Sequence, residues 1–306
     1  MLSIEPDLLA RFEQGLDPLR PEASEVPARV LGYGEISTIF QVGEDESVVY
    51  KRMPLFGSRE AAGTYETQYH EYCGLMQEAG LLLPESATAV VTVPGRPVVL
   101  YIAQTRYPAD RLGHKLLHHL DAAGFSALVE NVVAETARVW AFNRERGPGV
   151  QIAIDGQISN WVLPQGAGRA VYLDTSTPIF RKHGQEQLDP ELFLKNTPSF
   201  LRWLARMFFL DEVMTRYYDP RRVAVDLAAN LYKEQRPELV APALSVINRV
   251  LPAGEEGISE REAASYYRLD RTIWSSYLAL RRLDRFLTTR VFHQRYEFIL
   301  PGRIRR

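Results

Sequence analysis

Four polar residues carry the chemistry this chain can do. Asp155 ends the apolar run QIAI, Asn160 follows five residues later in DGQISNWVL, and Asp174 closes the run AVYL in AVYLDTSTP. The fourth, Lys51, stands inside the strand-like run SVVYKRM. Leaving a carboxylate buried and uncompensated costs several kcal/mol, so solvent, a cation or a metal ion must meet the two aspartates. Two carboxylates and a carboxamide are oxygen ligands that suit Mg²⁺, a hard cation that keeps waters and favours phosphate oxygens.

Lys51 is a lysine in an apolar strand, which must be exposed, paired or snorkelling. The helical stretch after it offers Glu66 and Glu71, and Glu71 sits in YHEY among residues expected to face the sheet. Upstream, LGYGEISTIF places Gly32 and Gly34 between two strands, with Ser37 where a third glycine could stand. A Gly-x-Gly turn exposes backbone N–H groups and lets a phosphate come close. A plain hairpin uses the same residues. The turn is not a P-loop, since no Gly-Lys-Ser/Thr occurs and a strand follows. Glycine turn, lysine and cation site together are the parts of a phosphoryl-transfer centre.

These residues need elements to position them. From about residue 26 to 104 the chain reads as short β-branched and aromatic runs: VPARVLGYG, ISTIFQV, SVVYKRM, ATAVVTV and PVVLYIAQ. A helix over residues 59–80 interrupts them, with Tyr65, Tyr69, Tyr72, Leu75, Met76 and Ala79 at three- and four-residue steps. The spacing predicts a five-stranded antiparallel sheet crossed by one helix. A second helix is predicted over 121–144, then a short β interlude around Asp155 and Asp174. Beyond Pro190 helices dominate, started at Thr197-Pro198, Asp219-Pro220 and Ser259…Glu262. Three regions follow: a helix and linker over 1–25, a β-rich nucleotide-binding lobe over 26–106, and a mainly helical lobe over 107–306.

The chain has 306 residues, 46% hydrophobic and 24% charged, with a net charge of −2. That balance argues against nucleic acid as a partner and against long disorder. No run approaches the 18–20 apolar residues of a membrane helix, and the acidic, amphipathic start MLSIEPDLLARFEQ is not a secretory signal, so no membrane partner and a cytoplasmic location are expected. The single cysteine, Cys73, excludes an internal disulfide and a cysteine-cluster zinc site. His114 and His118 have i, i+4 spacing but no third ligand nearby, which reads as a solvated helix face. Oligomeric state is not legible here.

Over roughly residues 28–180 the motifs resemble, in order, the protein-kinase-like fold, and within it the aminoglycoside and choline phosphotransferase branch. LGYGEIST resembles the glycine-rich loop, VVYK the lysine strand, and YHEYCGLMQEAGLLLP the helix with its partner glutamate, which would be Glu71. AIDGQISNWVL resembles the catalytic loop, usually His-Gly-Asp followed by four residues and Asn. VYLDTSTP resembles the metal-binding strand, usually Ile-Asp-Trp or Asp-Phe-Gly. Ala153-Ile154 replace the His-Gly, and Ser37 replaces the third glycine.

The resemblance implies an α+β, bilobal fold with ATP and Mg²⁺ between the lobes. It implies transfer of the γ-phosphate to a hydroxyl of a small molecule. Asp155 would act as base or orienter, Asn160 and Asp174 as Mg²⁺ ligands, and Lys51 as a phosphate contact held by Glu71. Gly32, Gly34 and Ser37 would cover the phosphates, and backbone groups from Gln104 to Tyr107 would read adenine. Asp226 would lie beneath the catalytic loop, while Asp219, Asp226 and Tyr217 are candidate acceptor contacts. The alternatives are a pseudokinase-like nucleotide-binding module without turnover, a peptide or protein kinase, and a structural protein without nucleotide affinity.

Overall fold

The computed structural model describes residues 2–34, 36–166, 168–189, 192, 215–251 and 254–302. The expected Thr197-Pro198 helix start lies outside the described residues, as does most of the stretch RWLARMFFLDEVMTRYY.

Five strands form the first sheet: β1 Ala28–Tyr33, β2 Thr38–Val42, β3 Val48–Phe56, β4 Ser86–Val91 and β5 Val98–Thr105. All pair antiparallel, in the order β1-β2-β3-β5-β4. Side chains alternate along a strand, so β3 sends Tyr50 and Arg52 to one face, and Lys51 and Met53 to the other. The helix α2, Arg59–Glu78, covers the Met53 face through Ala62, Tyr65 and Tyr69. Ser58 starts it by accepting from the Ala61 N–H. On the opposite face lies α1, Pro6–Gly15, whose Leu9 and Phe12 pack with Phe40, Tyr50 and Tyr101. The amino-terminal helix therefore shares a core with the sheet.

Beyond β5 the chain passes through α3, Gly113–Leu116, to the long α4, Ala122–Arg146, capped by Asp121. Short strands follow: β6 Val150–Ile152, β7 Trp161–Val162, β8 Val171–Tyr172, β9 Phe180–Lys182 and β10 Gln185–Glu186. Three further helices are described: α5 Pro220–Lys233, α6 Val240–Ile247 and α7 Glu260–Phe286. The expected caps are made. Asp219 accepts from the Arg221 and Arg222 N–H groups, and Ser259 from that of Glu262. This lobe has its own core, where Phe125, Leu128 and Val132 meet Ile152, Ile154, Leu231 and Leu244. The architecture is the α+β one expected, a five-stranded antiparallel sheet with one crossing helix and a mainly helical second lobe.

After α7 a π-helical turn, Leu287–Val291, reverses the chain, and residues 292–302 return to the first lobe. There Arg52 binds both the Glu297 carbonyl, at 2.8 Å, and its carboxylate, at 3.1 Å. No helix among the described residues is long and apolar enough to cross a membrane.

Candidate functional site

Between the lobes lies a cleft of about 750 Å³. The sheet lines it with Gly32, Gly34, Ser37, Lys51 and Gln104, the other lobe with Asp155, Asn160 and Asp174. The structure thus brings all of these sequence-predicted residues to one cavity.

The glycine turn is tight. The Gly34 N–H donates to the Ser37 carbonyl at 3.0 Å, and a Cβ at Gly34 would fall 2.8 Å from the Ser37 hydroxyl. A side chain there would oblige the Ser37 hydroxyl to turn aside, whereas glycine leaves it in place. Lys51 enters the cleft because its strand alternation turns it away from α1. Its ammonium donates to the Leu173 carbonyl at 2.9 Å and lies 3.6 Å from Asp174 Oδ1. Burial lowers the Lys51 pKa, and the Asp174 carboxylate works against that.

The expected partner is corrected. Glu71 does not reach Lys51; its carboxylate pairs with Lys182 on β9 at 2.5 Å, half-exposed. Glu71 is also absent from the cleft lining. Successive helix residues are turned by about 100°, so when Tyr72 faces the core its neighbour Glu71 is swung aside. The buried stripe of α2 is tyrosine. Tyr65 donates to the Ser176 carbonyl at 2.7 Å, and Tyr72 to the Ala153 carbonyl at 2.8 Å. These hydroxyls tie α2 to the two loops that bear the aspartates. The sequence shows the stripe at helical spacing, yet nothing in it distinguishes a packing tyrosine from a bridging one.

Asn143 clamps the strand before Asp155, donating to the Ile152 carbonyl and accepting from its N–H, both at 2.8 Å. Asp155 Oδ1 accepts from the Gln157 N–H at 3.0 Å. Burial, with repulsion from Asp226 and Asp174, pushes Asp155 up to about 7. Asn160 donates to the Asp155 carbonyl at 3.2 Å, and its own carbonyl accepts from the Leu173 N–H at 2.8 Å. Asp174 Oδ1 accepts from the Ser176 hydroxyl at 3.0 Å. Asn160 Oδ1 and Asp174 Oδ2 accept from no described residue. Two hard oxygens without donors, beside carboxylates that repel one another, fit a divalent cation by the chemistry of the donor set. No cluster of three His, Cys, Asp or Glu residues suited to a metal occurs among the described residues.

Gln104 lines the cleft, and its side chain donates to Thr175 Oγ1 at 2.9 Å. The next two backbone N–H groups are engaged, Thr105 with the Glu85 carbonyl and Arg106 with that of Ser47. Tyr107 also lines the cleft, and its main chain bonds to no described residue.

Asp226 lies by the loop from Asp155 to Asn160, accepting from Gln157 Nε2 at 3.0 Å. Gln157 Oε1 in turn accepts from Asn230 Nδ2 and Lys233 Nζ. Tyr217 lines the cleft, whereas Asp219 is a helix cap. His114 is corrected too. It is part of the cleft wall rather than a solvated face, and burial, with Lys115, Lys233 and His118, pushes it down to about 4, so the ring is neutral at physiological pH. Cys73 is a free, half-buried thiol that burial pushes up, as expected of a packing residue.

Two glycines missed in the sequence hold the loop. A Cβ at Gly156 would fall 2.7 Å from Val223 Cγ1 of α5, and one at Gly113 only 2.3 Å from the Ile158 carbonyl. A glycine directly after Asp155 was the only available signal for the first.

The chain belongs to a family described as "Family of unknown function (DUF6206)", matched over residues 21–285. No curated protein matches it significantly. Among solved structures it is similar to one titled "WaaP in complex with acyl carrier protein", with 16% identity over 81% of this chain and 97% of that chain, and a TM-score of 0.35. A likeness of that degree transfers neither activity nor partner.

Proposed function

For this member of DUF6206 we propose an ATP- and Mg²⁺-dependent phosphotransferase that moves the γ-phosphoryl group to a hydroxyl of a small molecule. One observation carries the reading: Lys51, Asp155, Asn160 and Asp174, from three separate stretches, share one cleft with the glycine turn.

Each residue has a task in this reading. Lys51 contacts the phosphates, and Gly32, Gly34 and Ser37 bound their end of the cleft with little side-chain bulk. The Tyr107 main chain reads adenine, with Gln104 behind it. Asn160 and Asp174 hold Mg²⁺, which supplies charge neutralisation to the triphosphate. Asp155 accepts the acceptor's hydroxyl proton while that oxygen bonds to the γ-phosphorus. The bond from the γ-phosphorus to the β,γ-bridging oxygen breaks, and ADP leaves.

A nucleotide-binding module without turnover is the second reading. It is favoured by Lys51 being paired with Asp174 while Glu71 is engaged by Lys182. Thermal unfolding with ATP, with and without Mg²⁺, followed by ADP release over a panel of hydroxyl compounds, separates the readings. We expect ATP to stabilise the protein more strongly with Mg²⁺, and one acceptor class to drive ADP release. Stabilisation with no ADP release from any compound selects the second reading, and no stabilisation by ATP sinks both.

A further inference from the structure

The carboxy-terminal end of α7 leaves apolar side chains in solvent. Of the nine large hydrophobic residues exposed among the described ones, four fall between residues 283 and 292. Leu283 and Phe286, one helical turn apart, are 45% and 57% exposed. Val291 and Phe292, in the reversing turn, are 52% and 64% exposed. That turn is held in place. The Phe292 N–H donates to the Leu287 carbonyl at 2.9 Å, and the Gln294 N–H to that of Thr288 at 2.8 Å. His293 takes a left-handed backbone, with φ 53°, and Arg295 fastens the far side to the Leu16 carbonyl at 2.6 Å. Phe292 therefore stands at a pre-organised tip.

Single exposed apolar residues are ordinary on a protein surface, whereas a contiguous apolar patch marks an interaction site. The charge around this patch selects the partner. Residues 282–295 hold four arginines and one acid, Asp284. Arg285 and Arg290 directly precede Phe286 and Val291. Arg282 precedes Leu283, and its guanidinium meets only neutral groups, the carbonyls of Pro301 and Gly302. Arg295 is met by Glu297 at 2.7 Å. A second copy of the chain would set the same arginines against one another across a two-fold interface, which repulsion disfavours. A nucleic acid would take the arginines and leave the phenylalanines in water. An anionic lipid surface meets both, with phosphates for the arginines and an acyl boundary for the apolar side chains.

We propose that the end of α7 and its reversing turn dock on an anionic lipid bilayer, lying on its surface rather than spanning it. Leu283, Phe286, Val291 and Phe292 enter the headgroup boundary, and Arg282, Arg285 and Arg290 meet the lipid phosphates. Such a contact needs no spanning helix and no secretory start, the two features on which the expectation of no membrane partner rested. The inference stands apart from the nucleotide reading, because none of these residues lines the cleft.

Co-sedimentation of the full chain with phosphatidylcholine vesicles, with and without phosphatidylserine, tests this on wild type, Phe292→Ser and Arg290→Glu. Wild type should bind the vesicles that contain phosphatidylserine far better than those without it, and raised salt should release it. Each substitution should weaken that binding about tenfold, through one lost aromatic anchor or one reversed charge. Both sites are exposed, so thermal unfolding of the variants should match wild type. If Phe292→Ser alters unfolding, Phe286→Ser takes its place. Wild type that ignores phosphatidylserine vesicles overturns the proposal. Equal binding to both kinds of vesicle does so too, since charge would then select nothing. Loss of binding in Arg290→Glu but not in Phe292→Ser would mean plain basic adsorption, which also overturns it. Sedimentation velocity without lipid covers the remaining occupant: a wild-type dimer that Phe292→Ser makes monomeric would give the patch to a second copy and overturn the proposal.

Discussion

The Tyr72 hydroxyl donates a 2.8 Å hydrogen bond to the backbone carbonyl of Ala153, two residues before Asp155. Tyr65, two helical turns earlier, does the same for Ser176, two residues after Asp174. The helix α2 is thereby fastened to both aspartate loops by phenol groups.

Removing those hydroxyls should loosen the site. Tyr72→Phe leaves the Ala153 carbonyl without its donor, at a cost of about 1–2 kcal/mol. Urea unfolding should show that loss, and ADP release should fall while adenosine affinity holds. A Tyr72→Phe protein with wild-type stability and turnover would show that the bond positions nothing.

Asp155 should set both turnover and the pH profile of stability. Asp155→Asn should abolish phosphoryl transfer and leave nucleotide binding nearly intact. Its ordinary pKa is 3.8, against about 7 when folded. Between those values the folded state keeps a proton that the unfolded chain has released, so stability falls as pH rises from about 4 to about 7, and stays lower above. Without nucleotide or metal, Asp155→Asn should exceed wild type at pH 8 by on the order of 1–2 kcal/mol and converge with it near pH 4. An equal difference at both pH values would rule out this carboxylate as the cause.

The cluster behind the sheet should dominate stability. Arg52 binds Glu13 through two bonds of 2.8 and 2.6 Å, and Tyr101 donates to the same carboxylate at 2.5 Å. Burial would raise the Glu13 pKa, but the Arg52 guanidinium, with the Tyr101 hydroxyl and Arg96, outweighs it and holds the carboxyl below its usual range. Glu13 therefore contributes stability above that usual range, and the contribution is lost as pH falls through the lowered value. Arg52→Ala strands a buried carboxylate and should cost about 3–5 kcal/mol. A loss under 1 kcal/mol would mean that the cluster is not a structural anchor.

Gly156 should tolerate no side chain unless its neighbour shrinks. With Val223 Cγ1 only 2.7 Å from a Cβ there, Gly156→Ala should cost about 1–3 kcal/mol through overpacking. Val223→Ala in the same chain should recover part of the loss. Absence of recovery would place the cause in the backbone rather than in this contact.

Periodicity carried most of the fold. Alternation along SVVYKRM placed Lys51 on one sheet face, three- and four-residue steps set the helices at 59–78 and 122–146, and the Ser and Asp caps stand where their spacing put them. Each of these is local, decided by side-chain direction within a few residues. Tertiary packing decided the partners. Whether Tyr72 or Glu71 meets the loops depends on how α2 is rotated against the sheet, and that rotation is set by which apolar residues it buries. The pairing of Arg52 with Glu297, across 245 positions, has no local signal at all. A hydrogen bond between distant segments acts only once the chain has folded, and neither residue's neighbours record it.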